Sequence, residues 1–317
     1  MSAHPQFKFA SAPDSWGVLD YPGPSWNQDY KQMLDEMISA GYRGTELGPY
    51  GFFPTEPSVL GEQLHKRQLT LLGSFVPVPL GDAGSAKAVV EQIRKVGNLL
   101  STLGAPFLVM ADAQSAERDR IAGRVPPDGS AGFTPEQWKQ VASVVAEAAA
   151  VTRDFGLDLV FHPHVSTYVE TPEETERFFD VTAASGIGLC LDTGHCAYTG
   201  GDPIAEAIKF REVLRFVHIK DVDDSVMAEV RRKQWNFEEA IEAQAFTIIG
   251  QGSIDFPGFF QALKAMDYHG WLVVEQDVKF GATVIPPVES IAASLRYLTG
   301  VVDNLQPSER AGAGSPR

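Results

Sequence analysis

The chain has 317 residues, 44% hydrophobic and 21% charged, the balance of a globular protein with room for one large domain or two medium ones. Its formal net charge of -15 argues against nucleic acid or an anionic membrane as partner, because both demand a basic face. Two cysteines, Cys190 and Cys196, flank what reads as a strand end, and no apolar run approaches the length of a membrane span; the composition predicts a soluble cytoplasmic protein.

Phe7 opens a strand almost at once, with no charged-then-apolar leader before it. Asp14-Ser-Trp-Gly17 reads as an aromatic turn, followed by a loop to Pro24. From 27 to 40 the apolar residues Tyr30, Met33, Leu34, Met37 and Ile38 recur at helical spacing, and Gly41 closes the run. A strand at 44–48 carries Glu46 among small and apolar neighbours; a helix over 57–67 and a strand over 69–78 follow. Ser85 is placed to cap a helix running to about 103, and Phe107-Leu-Val-Met110 is a further short strand. Thr134-Pro-Glu-Gln137 and Thr171-Pro-Glu-Glu174 each combine a capping Thr, a Pro at the first helical position and Gln or Glu at the third. That pattern starts helices cleanly, and these run to about 155 and 184. A helix over 203–213, a long segment over 223–246 that is helical at 237–243, a helix ending near 266 and a last helix over 288–298 complete the pattern. Polar, small and charged residues from 305 to 317 predict a disordered tail.

Eight strands alternating with about eight helices, with no linker between them, predict a single (β/α)8 TIM barrel over 1–304. A doubly wound open sheet would place a Gly-rich phosphate loop after the first strand, and none stands there. Four segments share one build, an apolar run that ends in ionisable residues: 157–164, 188–196, 214–221 and 270–277. Their ends supply His162, His164, Asp192, His195, His218, Lys220, Glu275 and Asp277. Residues two apart in a strand share a face, so His162 pairs with His164, His218 with Lys220 and Glu275 with Asp277. The carboxyl ends of barrel strands carry the chemistry. Each residue alone is ordinarily a buried polar group satisfied by its neighbours; together, so many ionisable groups without a counter-ion are costly to bury. Imidazole and carboxylate ligands suit one divalent ion, Mn or Co first, with Zn, Fe or Mg also compatible. His195 stays open between ligand, substrate contact, base and turn cap. Lys220 is either an acid beside the metal or the partner of Glu275 or Asp277, and Trp16 either walls a substrate or packs.

At these residues the sequence resembles the sugar phosphate isomerase/epimerase-like group of xylose isomerase-like TIM barrels, over nearly the whole chain. The carrying motifs are Leu191-Asp-Thr-Gly-His195, Val217-His-Ile-Lys-Asp221, Gly250-Gln-Gly-Ser-Ile-Asp255 and Gly270-Trp-Leu-Val-Val-Glu275. Gly44-Thr-Glu-Leu-Gly48, the His-x-His strand end and Glu275-Gln-Asp277 bring it nearest to inosose dehydratases, which remove water from a keto-inositol. The resemblance implies a metal held by Asp192, His218 and Glu275. The fourth ligand departs from the family, because His162 stands where isomerases and epimerases have Glu; Glu170 is the alternative. It further implies a sugar or polyol substrate and chemistry through an enediolate. The base would be His162, His164 or Glu170 and the acid His195 or Glu46, with Lys220, His195 and Trp16 against the substrate. Epimerisation, isomerisation and C-glycoside cleavage with a second subunit are the neighbouring activities, and a non-catalytic sugar-binding barrel is the reading from another class. A homo-oligomer is compatible with all of them.

Overall fold

The computed structural model describes residues 6–19, 26–281 and 284–305. Strands β1 (Phe7–Ser11), β2 (Gly44–Thr45), β3 (Thr70–Leu71), β4 (Phe75–Val78), β5 (Phe107–Asp112), β6 (Asp158–Phe161), β7 (Gly188–Asp192), β8 (Leu214–Ile219), β9 (Asp221–Val222), β10 (Phe246–Thr247) and β11 (Gly270–Val274) alternate with helices. These are α1 (Tyr30–Ala40), α2 (Pro57–Arg67), α3 (Ala86–Thr102), α4 (Ala116–Asp119), α5 (Pro135–Asp154), α6 (Pro172–Thr182), α7 (Thr193–Tyr198), α8 (Pro203–Lys209), α9 (Asp224–Lys233), α10 (Phe237–Glu242), α11 (Phe256–Ala265) and α12 (Pro287–Leu305). The expected tail lies outside the described residues from 306 onward; Leu305 belongs to α12. No helix among the described residues is long and apolar enough to cross a membrane.

Nine of the strands form one curled parallel sheet in the order β3-β2-β1-β11-β8-β7-β6-β5-β4. Its two ends, β3 and β4, are successive pieces of one segment. The residues between them bond to both sides: Leu72 N donates to Thr45 O at 2.9 Å, and Phe107 N donates to Leu72 O at 3.0 Å. Residues from six strands (Ala10, Val109, Val160, Cys190, Phe216 and Val273) and Leu72, between β3 and β4, meet in a single apolar cluster. Two residues further along the same faces stand Ala12, His162, Asp192, His218 and Glu275. Alternation along a strand therefore carries an apolar layer directly into a polar one. The other faces pack under the helices through a larger core that includes Leu34, Met37, Leu60, Ile93, Phe178 and Phe260. Burying each such side chain contributes about 1.5–3 kcal/mol.

Both expected capping boxes are present, at Thr134 with Gln137 and at Thr171 with Glu174. Other boundaries moved for local reasons. Helix α1 starts at Tyr30 because Asp29 accepts from Lys31 N at 2.8 Å. Ser85 precedes α3 without capping it, since its hydroxyl donates to Pro79 O and Asp82 O. Helix α8 stops at Lys209, and α12 runs on to Leu305. The 223–246 segment holds two helices, α9 and α10, tied at its base by the antiparallel pair β9–β10. Asp221 anchors that base, accepting from Val222 N, Gly250 N, Gly252 N and Ile254 N at 2.9–3.2 Å.

Candidate active site at the carboxyl ends of the strands

A cavity of about 310 Å³ opens at the carboxyl ends of the strands, with Glu46, His162, His164, His218, Lys220, Glu275 and Asp277 in its lining. Beneath it, Asp192 ends β7 and caps α7, accepting from His195 N at 2.8 Å through Oδ1. Its other oxygen accepts from Lys220 Nζ at 2.9 Å and faces His162 Nε2 at 3.4 Å. His218 lies between two carboxylates, with Nε2 2.9 Å from Glu46 Oε1 and Nδ1 3.0 Å from Glu275 Oε2. Lys220 Nζ donates to Glu275 Oε2 at 2.5 Å and lies 3.4 Å from Asp277 Oδ1 and 3.8 Å from Asp14 Oδ2.

This crowding sets the protonation states. Against the burial that would neutralise it, Asp192 is held well below the usual carboxylate range by Lys220, His195 and His162. Burial likewise opposes the ionisation of Glu275, yet His218 and Lys220 bring it down to about 2. Burial would lower His218 too, but Cys190, Glu275 and Glu46 hold it well above its ordinary value. His164 is pushed down to about 3 by burial and by His162, and His195 falls well below its ordinary value for the same reason, with His164 its first charged neighbour. These two imidazoles are neutral at pH 7.

The donor set fits a divalent ion. Candidate ligand atoms lie within 4.8 Å of one another in three groups: His162 with Asp192 and His195, Glu46 with His218 and Glu275, and His164 with His195 and Asp277. His162 Nδ1 is buried without a hydrogen-bond partner, and His218 Nδ1 faces Glu275 Oε2 at 3.0 Å without hydrogen-bond alignment. The carboxyl groups of Asp14, Asp192, Glu275 and Asp277 surround the ammonium of Lys220, and that of Glu46 lies against His218. Buried carboxyl groups outnumber the positive charges of Lys220 and His218, an arrangement that suits a further cation.

Two expected residues stand elsewhere, and a third belongs to the ligand cluster without lining the cavity. Trp16 does not line the cavity: its indole is buried and donates to Glu36 Oε2 on α1 at 2.6 Å. Glu170 does not reach the ligand cluster, because its two oxygens accept from Gly123 N at 2.7 Å and Ser166 N at 2.8 Å. It lies 3.8 Å from Arg118. His195 sits in a helical turn under Phe237 and Phe246 rather than in the lining, with Nε2 3.5 Å from Asp277 Oδ2. Lys220 is paired with Glu275, as one of its two readings expected, and it also lines the cavity. Sequence reasoning missed Asp14, Asp112, Asp119 and Phe237 in the lining. The parity of Asp14 with Ala10 and Ala12 was the one signal for it.

A parallel curled sheet with imidazoles and carboxylates gathered at its carboxyl ends defines a class, α/β enzymes whose catalytic groups project from several strands into one mouth. The chain belongs to the family described as xylose isomerase-like TIM barrel, whose model matches residues 34–300. It is similar to inosose dehydratase from Geobacillus kaustophilus, 30% identical over 96% of this chain and 97% of that protein. It is also similar to the rhizopine catabolism protein MocC from Rhizobium meliloti, 34% identical over 85% of this chain and 81% of that protein. Among solved structures, the IolI protein with a bound zinc atom superposes with a TM-score of 0.69 at 17% identity, covering 94% of this chain and 99% of that one.

Proposed function

We propose that this chain is a divalent-metal-dependent lyase that removes water from a keto-inositol-like polyol, working from a single (β/α)8 barrel over residues 1–304. The observation that carries the reading is the excess of ligand atoms at one end of the cavity, supported by the dehydratase names of its relatives. His162, Asp192, His218 and Glu275 would hold the ion, and their mix of imidazole and carboxylate suits Mn or Co. When bound, such an ion polarises a ketone and its neighbouring hydroxyl and acidifies the C–H between them.

The base is His164. Its Nδ1 donates to Val165 O at 2.7 Å, which leaves the Nε2 lone pair to take a proton from carbon. Burial keeps the ring neutral at pH 7, so that this nitrogen is free to accept a proton. The ammonium of Lys220 holds the oxygen on which negative charge develops. Epimerisation would need a second carboxylate to return a proton to the other face; His162 stands where epimerases of the group have Glu, which favours elimination. Two thiols free of any disulfide support a cytoplasmic setting. Incubation with 2-keto-myo-inositol should produce an enone or dione absorbance that EDTA abolishes and Mn or Co restores. Binding without turnover by the metal-loaded protein would favour a sugar-binding barrel instead.

A further inference from the structure

We propose that Asp14 is the catalytic acid, whose carboxyl group gives the departing hydroxyl the proton with which it leaves as water. The assignment rests on the dehydration reading above and fills the role that burial takes from His195. Asp14 belongs to the short turn Pro13–Trp16 that follows β1, and it lines the same cavity as His164, which follows β6.

The other carboxyls of the lining are committed, Asp277 among them, with Oδ1 3.4 Å from Lys220 Nζ and Oδ2 3.5 Å from His195 Nε2. Glu46 is bonded to His218, and Glu275 is bonded to Lys220. Asp112 accepts from Leu80 N at 3.1 Å and Tyr168 N at 3.0 Å, while Asp119 accepts from Ser166 Oγ and Phe237 N. Glu238 lies beside Lys279. Asp14 differs: Oδ1 accepts from Ser15 N at 2.7 Å, Oδ2 lies 3.8 Å from Lys220 Nζ, and the carboxyl group shares a hydrogen bond with that of Asp277. Its side chain is 17% exposed, against 7% for Asp277 and 6% for Glu275.

The placement is built into the fold. Ser11 Oγ donates to Val274 O at 2.9 Å, and Gln276 N donates to Ser15 Oγ at 3.1 Å, so the turn is sewn to the end of β11. Gly17, at φ 75°, returns its N–H to Asp14 O at 2.8 Å and closes the turn. Two carboxyl groups that share a hydrogen bond hold one proton between them. Burial first, then the charge of Glu275, with Asp277 adding and Lys220 opposing, keep Asp14 well above the usual carboxylate range. A carboxyl so placed is positioned to share a proton with Asp277 and to present it to the cavity.

The step balances. The base removes the proton next to the ketone, the C–H electron pair becomes the new C=C bond, and the β-carbon–oxygen bond breaks. The oxygen takes the Asp14 proton and departs as water; Asp14 regains a proton from solvent while the base returns its own.

The test follows both half-steps in D2O, using full-length metal-loaded protein and 2-keto-myo-inositol. In D14N, deuterium entry at the carbon next to the ketone should stay within a few-fold of wild type, because the base is intact. Elimination should fall by about 10²–10⁴-fold, the usual worth of a general acid. An analogue with fluoride in place of the β-hydroxyl needs no proton to expel its leaving group, and D14N should process it at close to the wild-type rate. D14S, which removes the acid and keeps a small polar side chain, carries the same measurement if D14N does not fold. Elimination by either variant near the wild-type rate overturns the assignment, as does parallel loss of exchange and elimination, or a fluoro analogue that stays unreacted. Wild-type protein that neither exchanges nor eliminates overturns the dehydration reading itself, and this assignment with it.

Discussion

Two buried ionic clusters lie within this fold, and they are built on opposite plans. Around Arg118, the guanidinium makes two parallel bonds to Glu174 at 2.6 and 2.8 Å. The Glu174 carboxylate also accepts from Glu170 N and Thr171 N, while Glu170 is filled by Gly123 N and Ser166 N. Nearly every lone pair there has an amide or a guanidinium. In the cavity, carboxylates outnumber cations and imidazole nitrogens are left over. A closed cluster holds loops together; an open one is arranged to receive something. The difference also explains why Glu170, one strand end away from the ligands by sequence, is no ligand: it was recruited to the closed cluster.

Substitutions can break or sharpen that contrast. The largest effect is expected for Asp192→Ala. Losing several kcal/mol of charge stabilisation corresponds to about a 10³-fold fall in kcat/KM. Metal content, read by elemental analysis, should fall with it, while the melting temperature in EDTA stays within a few degrees because excess negative charge has been removed. Full activity in a metal-free Asp192→Ala protein would sink the metal reading. Arg118→Met should do the reverse. Unpairing the buried acids costs about 3–5 kcal/mol, seen as a drop of roughly 10 °C in melting temperature, with kcat of the folded fraction close to wild type.

Next comes His164→Gln, expected to lower kcat by about 10²-fold with little change in metal content. A variant that keeps kcat would move the base to His162. The smallest effect concerns Glu170, whose pKa burial pushes up to about 7, although backbone N–H bonds and Arg118 oppose it. An acid raised on folding holds its proton longer in the folded state. The stability it contributes is therefore full below about pH 4.5 and declines as pH rises towards 7. Melting curves of Glu170→Gln across that window should show a flatter pH dependence than wild type, and an unchanged slope would count against the raised value.

The strand ends were legible because one rule, alternation along a strand, governs both the apolar layer and the polar one above it. Val160 and His162, Phe216 and His218, and Val273 and Glu275 obey it in turn. Where the backbone leaves the strand, the rule ends. Ser166 adopts φ 70° and turns the chain so that Glu170 faces Arg118, a reversal with no periodic signal. His195 enters a helix of six residues that rotates it beneath Phe237. Asp14 and Trp16 share a turn too short to have a period, and the sequence offered the aromatic residue as the more conspicuous of the two. Arg118 stood alone in a connecting segment, and its partners lie about fifty residues away.

The antiparallel tie at the base of the 223–246 segment has a consequence for how such a protein can diversify. The segment leaves and rejoins the curled sheet at one place, clamped by the amides that Asp221 collects. Yet it supplies Phe237, Glu238 and Ile241 to the cavity wall. It is a cassette: its contents can be exchanged while both attachment points, and the strands that hold the ionisable groups, remain as they are. Selectivity towards the far side of a substrate can thus be rewritten in one contiguous stretch of gene, independently of the residues that do the chemistry.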